Sequence, residues 1–186
     1  MWHFDILEQI IFFILISPAI IKLIKKDKIL SYNTLFSVAF GIYIVRFVGV
    51  VFFPIIWDIP DPYFKPDICL IPFKTITLMW SLGLRQFVIQ IIGNIALFFP
   101  MGFLLPILFG KVNSYKRVLS IASIISILVE LIQLTMILIV KFNLRAFDVN
   151  DIMLNIMGAL LGYAFQIFTY KFILPVYNDI TKNKQA

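Results

Sequence analysis

Apolar runs of about twenty residues recur along this 186-residue chain, each closed by a charged or proline-rich stretch. Such runs predict membrane-crossing helices, because roughly twenty apolar residues in a helix match a hydrocarbon layer about 30 Å thick. Five spans are expected: Ile6 to Leu23, Thr34 to Trp57, Gln86 to Phe109, Val118 to Val140 and Ile152 to Leu174. The predicted fold is therefore all-α, a single polytopic transmembrane helix bundle over residues 1–186. A four-span arrangement with the last run re-entrant is the competing topology. The third span carries Pro100, Gly102 and Pro106. Each proline removes a backbone donor, so this span is expected to be kinked or broken, either as a packing bend or to free carbonyls toward a cavity.

The last span has a second pattern written over its hydrophobicity. Asp148, Asp151, Asn155, Gly158 and Gly162 recur every three or four residues and so share one helix face. A charged side chain at the bilayer centre costs roughly 2.5–3.5 kcal/mol, which restricts such residues to protein interiors or hydrated cavities. Asp148 is placed as the helix N-cap and Asp151 lies inside the first turn, where a carboxylate favours the positive helix end by about 0.3–1 kcal/mol. Capping alone leaves Asn155 unexplained, one turn deeper on the same face. Gly158 and Gly162 continue the stripe as a small-residue surface for close helix approach.

Composition agrees with the pattern: 61% of residues are apolar, twenty are Phe and 14% are charged. The first apolar run is expected to remain as an uncleaved helix, since Lys22, Lys25, Lys26 and Lys28 follow it and its short lead is acidic. Under five spans, ten cations (Lys22, Lys25, Lys26, Lys28, Lys111, Lys116, Arg117, Lys171, Lys182 and Lys184) fall on one side. Five (Lys65, Lys74, Arg85, Lys141 and Arg145) fall on the other. Positively charged loops stay in the cytoplasm, so the amino terminus is expected outside and the carboxyl tail inside. The net charge of +6 does not indicate a nucleic-acid partner, because the cations cap apolar spans, where they meet anionic lipid headgroups. One Cys and one His, Cys69 and His3, exclude an internal disulfide and the usual zinc-ligand sets. No nucleophile elbow or glycine-rich phosphate loop is present.

The polar residues inside the spans carry the candidate chemistry. Glu130 and Gln133 lie on one face of the fourth span, and Arg46 lies at similar depth in the second. An unpaired charge there is costly, so Arg46 and Glu130 are expected either to pair or each to face a hydrated pocket. With the predicted orientation, Asn94, Glu130, Gln133, Arg145, Asp148, Asp151 and Asn155 all fall in the outer half of the membrane. One pocket at the outer interface can hold them. Its carboxylates, amides and cations suit a sugar, peptide or phosphate headgroup carried on a lipid. Within that pocket Glu130, Asp148 and Asp151 are the candidate acid/base residues, and Asn94, Gln133, Arg145, Asn155 and Arg46 the candidate substrate-binding residues. Spacing alone separates neither catalysis from binding nor either from a divalent cation held by Asp148 and Asp151; no other cofactor is expected. Between the second and third spans, Pro54, Pro60, Pro62, Pro66 and Pro72 make a stiff loop flanked by Trp57, Tyr63, Phe64 and Trp80. That loop serves as a lid over the pocket or as a plain connection along the membrane surface.

From Tyr43 to Tyr163 the chain resembles the VanZ-like membrane proteins. The resemblance rests on Ile71-Pro-Phe-Lys74-Thr-Ile76, on Gly93-Asn94 followed by Phe99-Pro100-Met-Gly102-Phe-Leu-Leu-Pro106, on Glu130 with Gln133, and on Arg145 with Asp148, Asp151, Asn155, Gly158 and Gly162-Tyr163. It implies a small multi-pass protein of the bacterial cytoplasmic membrane, associated in some members with lowered susceptibility to teicoplanin and other lipoglycopeptides. The expected partners are membrane lipids and a lipid-linked cell-wall intermediate. Two other functions fit the same residues: a transporter or flippase with a path through Arg46 and Glu130, and a non-catalytic scaffold joining helices through Gly158 and Gly162.

Overall fold

The computed structural model describes Ile14, Ser17, Ile21 and residues 32–53, 63–141 and 146–173. Four helices among them are long and apolar enough to cross a membrane, with mean hydropathy from 1.6 to 2.4. The first expected span lies largely outside the described residues. In chain order the elements are α1 (Tyr32–Phe52), β1 (Ile68–Cys69), α2 (Lys74–Ser81), α3 (Leu84–Leu108), α4 (Tyr115–Val140), β2 (Phe147–Asp148) and α5 (Val149–Phe168). The last helix continues into a wider π-helical turn over Thr169–Ile173.

The ends of these helices follow from local chemistry. Helix α1 stops short of the expected Trp57, just before Pro54, whose ring disfavours helical backbone at the preceding residue. Ser114 begins α4, its Oγ accepting the Arg117 N–H at 3.3 Å, and Asp148 begins α5, its Oδ1 accepting the Asn150 N–H at 2.8 Å. Helix α3 runs without interruption through Pro100 and Pro106, so the expected break does not occur. A proline deletes only its own N–H, here the partners of the Ala96 and Gly102 carbonyls. The bonds on either side persist because α3 is packed along its length against neighbours.

The tightest of those neighbours is α5, which runs parallel to α3. A Cβ at Gly158 would lie 2.2 Å from the Ile95 carbonyl oxygen, one at Gly162 2.1 Å from that of Phe99, and one at Gly102 1.8 Å from that of Ala159. The small-residue stripe of α5 is thus used within the chain, against a glycine contributed by α3. Around this seam sit Phe98, Met101, Val118, Ala122, Ala159 and Tyr163, with Phe47 of α1 edge-on to Phe98 at 5.4 Å. Tyr43 of α1 donates from its hydroxyl to the Leu97 carbonyl at 3.0 Å.

Helix α5 starts deep inside the bundle. Its first residues meet Glu130, ten residues before α4 ends at Val140, and Asn94, ten residues after α3 begins at Leu84. At 1.5 Å per residue, the ends of α3 and α4 extend about 15 Å past the start of α5. Two non-helical strands reach this depth and pair in parallel, Ile68 with Phe147 and Cys69 with Asp148. Irregular backbone at membrane depth is tolerated where protein buries it or it lines a cavity, and here Cys69 and Asp148 are buried and line one.

Candidate functional site: a polar cavity at the start of α5

A cavity of about 650 Å³ lies where α5 begins. Helices α3 and α4 form two walls, the end of α1 a third, and the segment from Asp67 to Met79, which includes β1 and part of α2, closes another side. The proline-rich loop between the second and third spans therefore supplies part of the cavity wall, and Trp80 of α2 anchors it by an edge-on contact with Phe87 of α3 at 5.0 Å.

Of the eight residues singled out from sequence, six line this cavity: Asn94, Glu130, Gln133, Asp148, Asp151 and Asn155. Arg145 lies outside the described residues. Arg46 is exposed on α1 and takes no part in the cavity wall, and no ion pair among the described residues joins it to Glu130. Of the two expected arrangements, pairing or a pocket for each, the structure has no Arg46–Glu130 pair among the described residues; Glu130 lines the cavity and is turned toward the backbone of the re-entrant strand, while Arg46 does not reach it.

Hydrogen bonds give each polar residue a definite place. Glu130, 2% exposed, accepts the Asp148 N–H on Oε2 at 3.0 Å. Gln133 donates from Nε2 to the Val51 carbonyl at 2.9 Å, near the end of α1. Asp151 accepts on Oδ1 from Asn94 Nδ2 at 2.8 Å and from Gln90 Nε2. These bonds hold a carboxylate at the positive end of α5, where the helix dipole favours it. Asn155 donates from Nδ2 to Ser126 Oγ at 2.9 Å, while its Oδ1 is buried with no hydrogen-bond partner. A buried acceptor left unmatched costs about 1–3 kcal/mol, and this one is closed off from the cavity space by the packing around it.

Asn150 is the residue that sequence reasoning missed. Fully buried, it accepts the Phe73 N–H on Oδ1 and donates from Nδ2 to Asp148 Oδ1 at 2.7 Å and to the Ile71 carbonyl at 3.3 Å. Phe73 has a left-handed backbone, φ 66°, a conformation a bulky residue adopts at a cost of roughly 1–2 kcal/mol. The clamp on its N–H by Asn150 holds that turn and so sets Lys74 and Thr75 in the cavity wall. Gln90 was also missed, although it stands four residues before Asn94 and so shares its helix face. Cys69 lines the wall too, its Sγ receiving the Thr75 hydroxyl at 3.4 Å.

All four carboxylates among the described residues, Asp67, Glu130, Asp148 and Asp151, line the cavity. No group of three or more His, Cys, Asp or Glu among the described residues is placed to hold a metal ion. Asp148 already spends Oδ1 on the backbone and side-chain amides of Asn150. The arrangement is that of a hydrogen-bonding cleft with several carboxylates, able to grip a polar group and to exchange a proton with it.

A helical bundle that buries a polar cleft among membrane-crossing helices, and closes it with re-entrant strands, defines a multi-pass membrane protein. The chain belongs to the VanZ/LLP1 family, whose model matches residues 40–171. Searches of curated proteins and of solved structures gave no match.

Proposed function

We propose that this VanZ-like protein binds, and in one version modifies, the polar headgroup of a lipid-linked cell-envelope component in the cavity at the start of α5. By doing so it lowers susceptibility to teicoplanin and related lipoglycopeptides. The observation that carries the reading is the convergence of Asn94, Glu130, Asp148, Asp151 and Asn155 on one cavity of about 650 Å³ within an apolar bundle. That volume lies in the range of small-ligand sites and holds a headgroup, with the lipid tail left to the surrounding bilayer.

Sidedness supports the same reading. Lys111, Lys116 and Arg117 lie at the opposite end of α3 and α4 from the cavity. With that basic loop retained in the cytoplasm, the cavity faces outward, toward the outer leaflet. Asp151, held between Gln90 and Asn94, and Glu130 are the residues assigned to contact the headgroup, with Asp148 holding the helix start. The transporter alternative draws no support from Arg46, which is exposed on α1 away from the cavity. A scaffold working through Gly158 and Gly162 is disfavoured as well, because α3 already covers that face.

The test is teicoplanin and vancomycin susceptibility in a host lacking the gene, complemented with wild type, Asp151→Asn or Glu130→Gln at matched membrane levels. Protection against teicoplanin by wild type, lost in both variants, is the expected result. Equal protection by all three would remove the cavity from the function, and no protection by wild type would remove the resistance role.

A further inference from the structure

Charge is segregated along the bundle axis. The sequence has no Asp or Glu between Asp67 and Glu130, nor between Asp151 and Asp179. Every described carboxylate lies at the cavity end, while the opposite end, where α3 turns into α4, presents Lys111, Lys116 and Arg117. These three exposed cations border an open surface groove of about 510 Å³, shared with Ser120 and with the apolar side chains of Val112 and Ile121.

Several features prepare this groove for an anion. Arg117 donates from Nη1 to the Lys111 carbonyl, which ties the guanidinium to the loop and reduces the entropy lost when it grips a ligand. Ser114 caps α4 through the Arg117 N–H, so the positive end of a 26-residue helix opens beside the three cations. Ser120 is held by its own bond to the Lys116 carbonyl at 2.9 Å and leaves its oxygen lone pairs and the neighbouring ammonium groups at the rim. The floor is apolar and continues into the lipid-facing side of α4, where Leu119 and Ile124 are exposed. A rim of three cations and one hydroxyl, with no carboxylate, set beside apolar side chains at the end of a membrane span, matches a phosphate-bearing headgroup with its acyl chains running down the helix.

We infer that the loop between α3 and α4 forms a binding site for an anionic phospholipid, with Lys111, Lys116 and Arg117 on the phosphate and Val112 and Ile121 against the start of the acyl chains. The site is independent of the cavity at α5 and occupies the other leaflet. It fixes the depth of the α3–α4 turn against the membrane surface.

The experiment is lipid capture by the full-length protein in discs containing phosphatidylglycerol and phosphatidylcholine, read by native mass spectrometry of the released complex. Wild type is expected to retain phosphatidylglycerol in preference to phosphatidylcholine. Lys111→Gln combined with Lys116→Gln should reduce that preference about fivefold for each charge removed. Ser120→Glu, which sets a carboxylate one turn from Lys116 and Arg117 and so competes with a lipid phosphate for them while keeping all three cations, should reduce it as well. Arg85→Gln, at the far end of α3, should leave it unchanged. Equal retention of both lipids by wild type, or an equal fall in Arg85→Gln, would overturn the site. Displacement of phosphatidylglycerol by inorganic phosphate at comparable concentration would assign the pocket to a soluble anion instead.

Discussion

The two halves of α5 lie on one helix face and do opposite things. From Asp148 to Asn155 the stripe is polar, and its partners are strands, loops and amide side chains that stand off far enough to leave a cavity. From Gly158 to Gly162 it is side-chain-free, and the α3 backbone comes so close that no Cβ fits. The lower half acts as a fulcrum that fixes the α3–α5 distance, and the upper half uses the space this leaves above it. Stability should therefore be concentrated in the glycine seam and function in the polar segment.

The sharpest way to break this division is Gly158→Leu. Its Cβ would meet the Ile95 carbonyl oxygen at 2.2 Å, and backbone cannot swing aside as a side chain does. The expected loss exceeds about 3 kcal/mol and appears as a collapse in the yield of monodisperse protein in detergent. Next comes Asn150→Ala, which strips acceptor and donor from the Phe73 N–H and the Ile71 carbonyl. A cost of roughly 1–3 kcal/mol is expected, seen as faster hydrogen exchange over residues 68–80 with the glycine seam still protected.

Asp148→Ala removes the α5 cap and should cost about 0.5–2 kcal/mol in micelle unfolding titrations. The smallest effect belongs to Arg46→Gln. Since Arg46 is exposed and joined to no described carboxylate, the change should stay within about 0.5 kcal/mol. A loss of the 3–5 kcal/mol typical of a broken buried ion pair would restore the Arg46–Glu130 pairing that the sequence suggested.

Much of this architecture was legible in the sequence because membrane helices obey few rules. Lengths of apolar runs located α1, α3, α4 and α5, with the ends of α1 and α5 placed five and six residues too late against Phe52 and Phe168, and the three-to-four spacing from Asp148 to Gly162 identified both the polar face and the packing face. What escaped was the depth of α5. Nothing in the order of residues says that the chain after Val140 turns back to meet Glu130, because that depends on a strand pair, Ile68–Cys69 with Phe147–Asp148, too short to leave a pattern. Asn150 was overlooked for the same reason. It projects off the Asp148–Asp151–Asn155 stripe and acquires its meaning only when the loop carrying Phe73 folds over it. Pro100 and Pro106 misled in the other direction, since local propensity for a break was overridden by packing along α3.

The central claim is that the cavity above the glycine seam holds a lipid-borne headgroup. Its most direct test is to extract wild type, Asp151→Asn and Asn155→Leu in a mild detergent and to identify the lipids that remain with each by mass spectrometry. The account predicts a lipid with a glycosylated, peptidyl or phosphorylated headgroup that stays with wild type and is depleted from both variants, although all three elute as folded protein. Identical lipid profiles from the three folded proteins would contradict it.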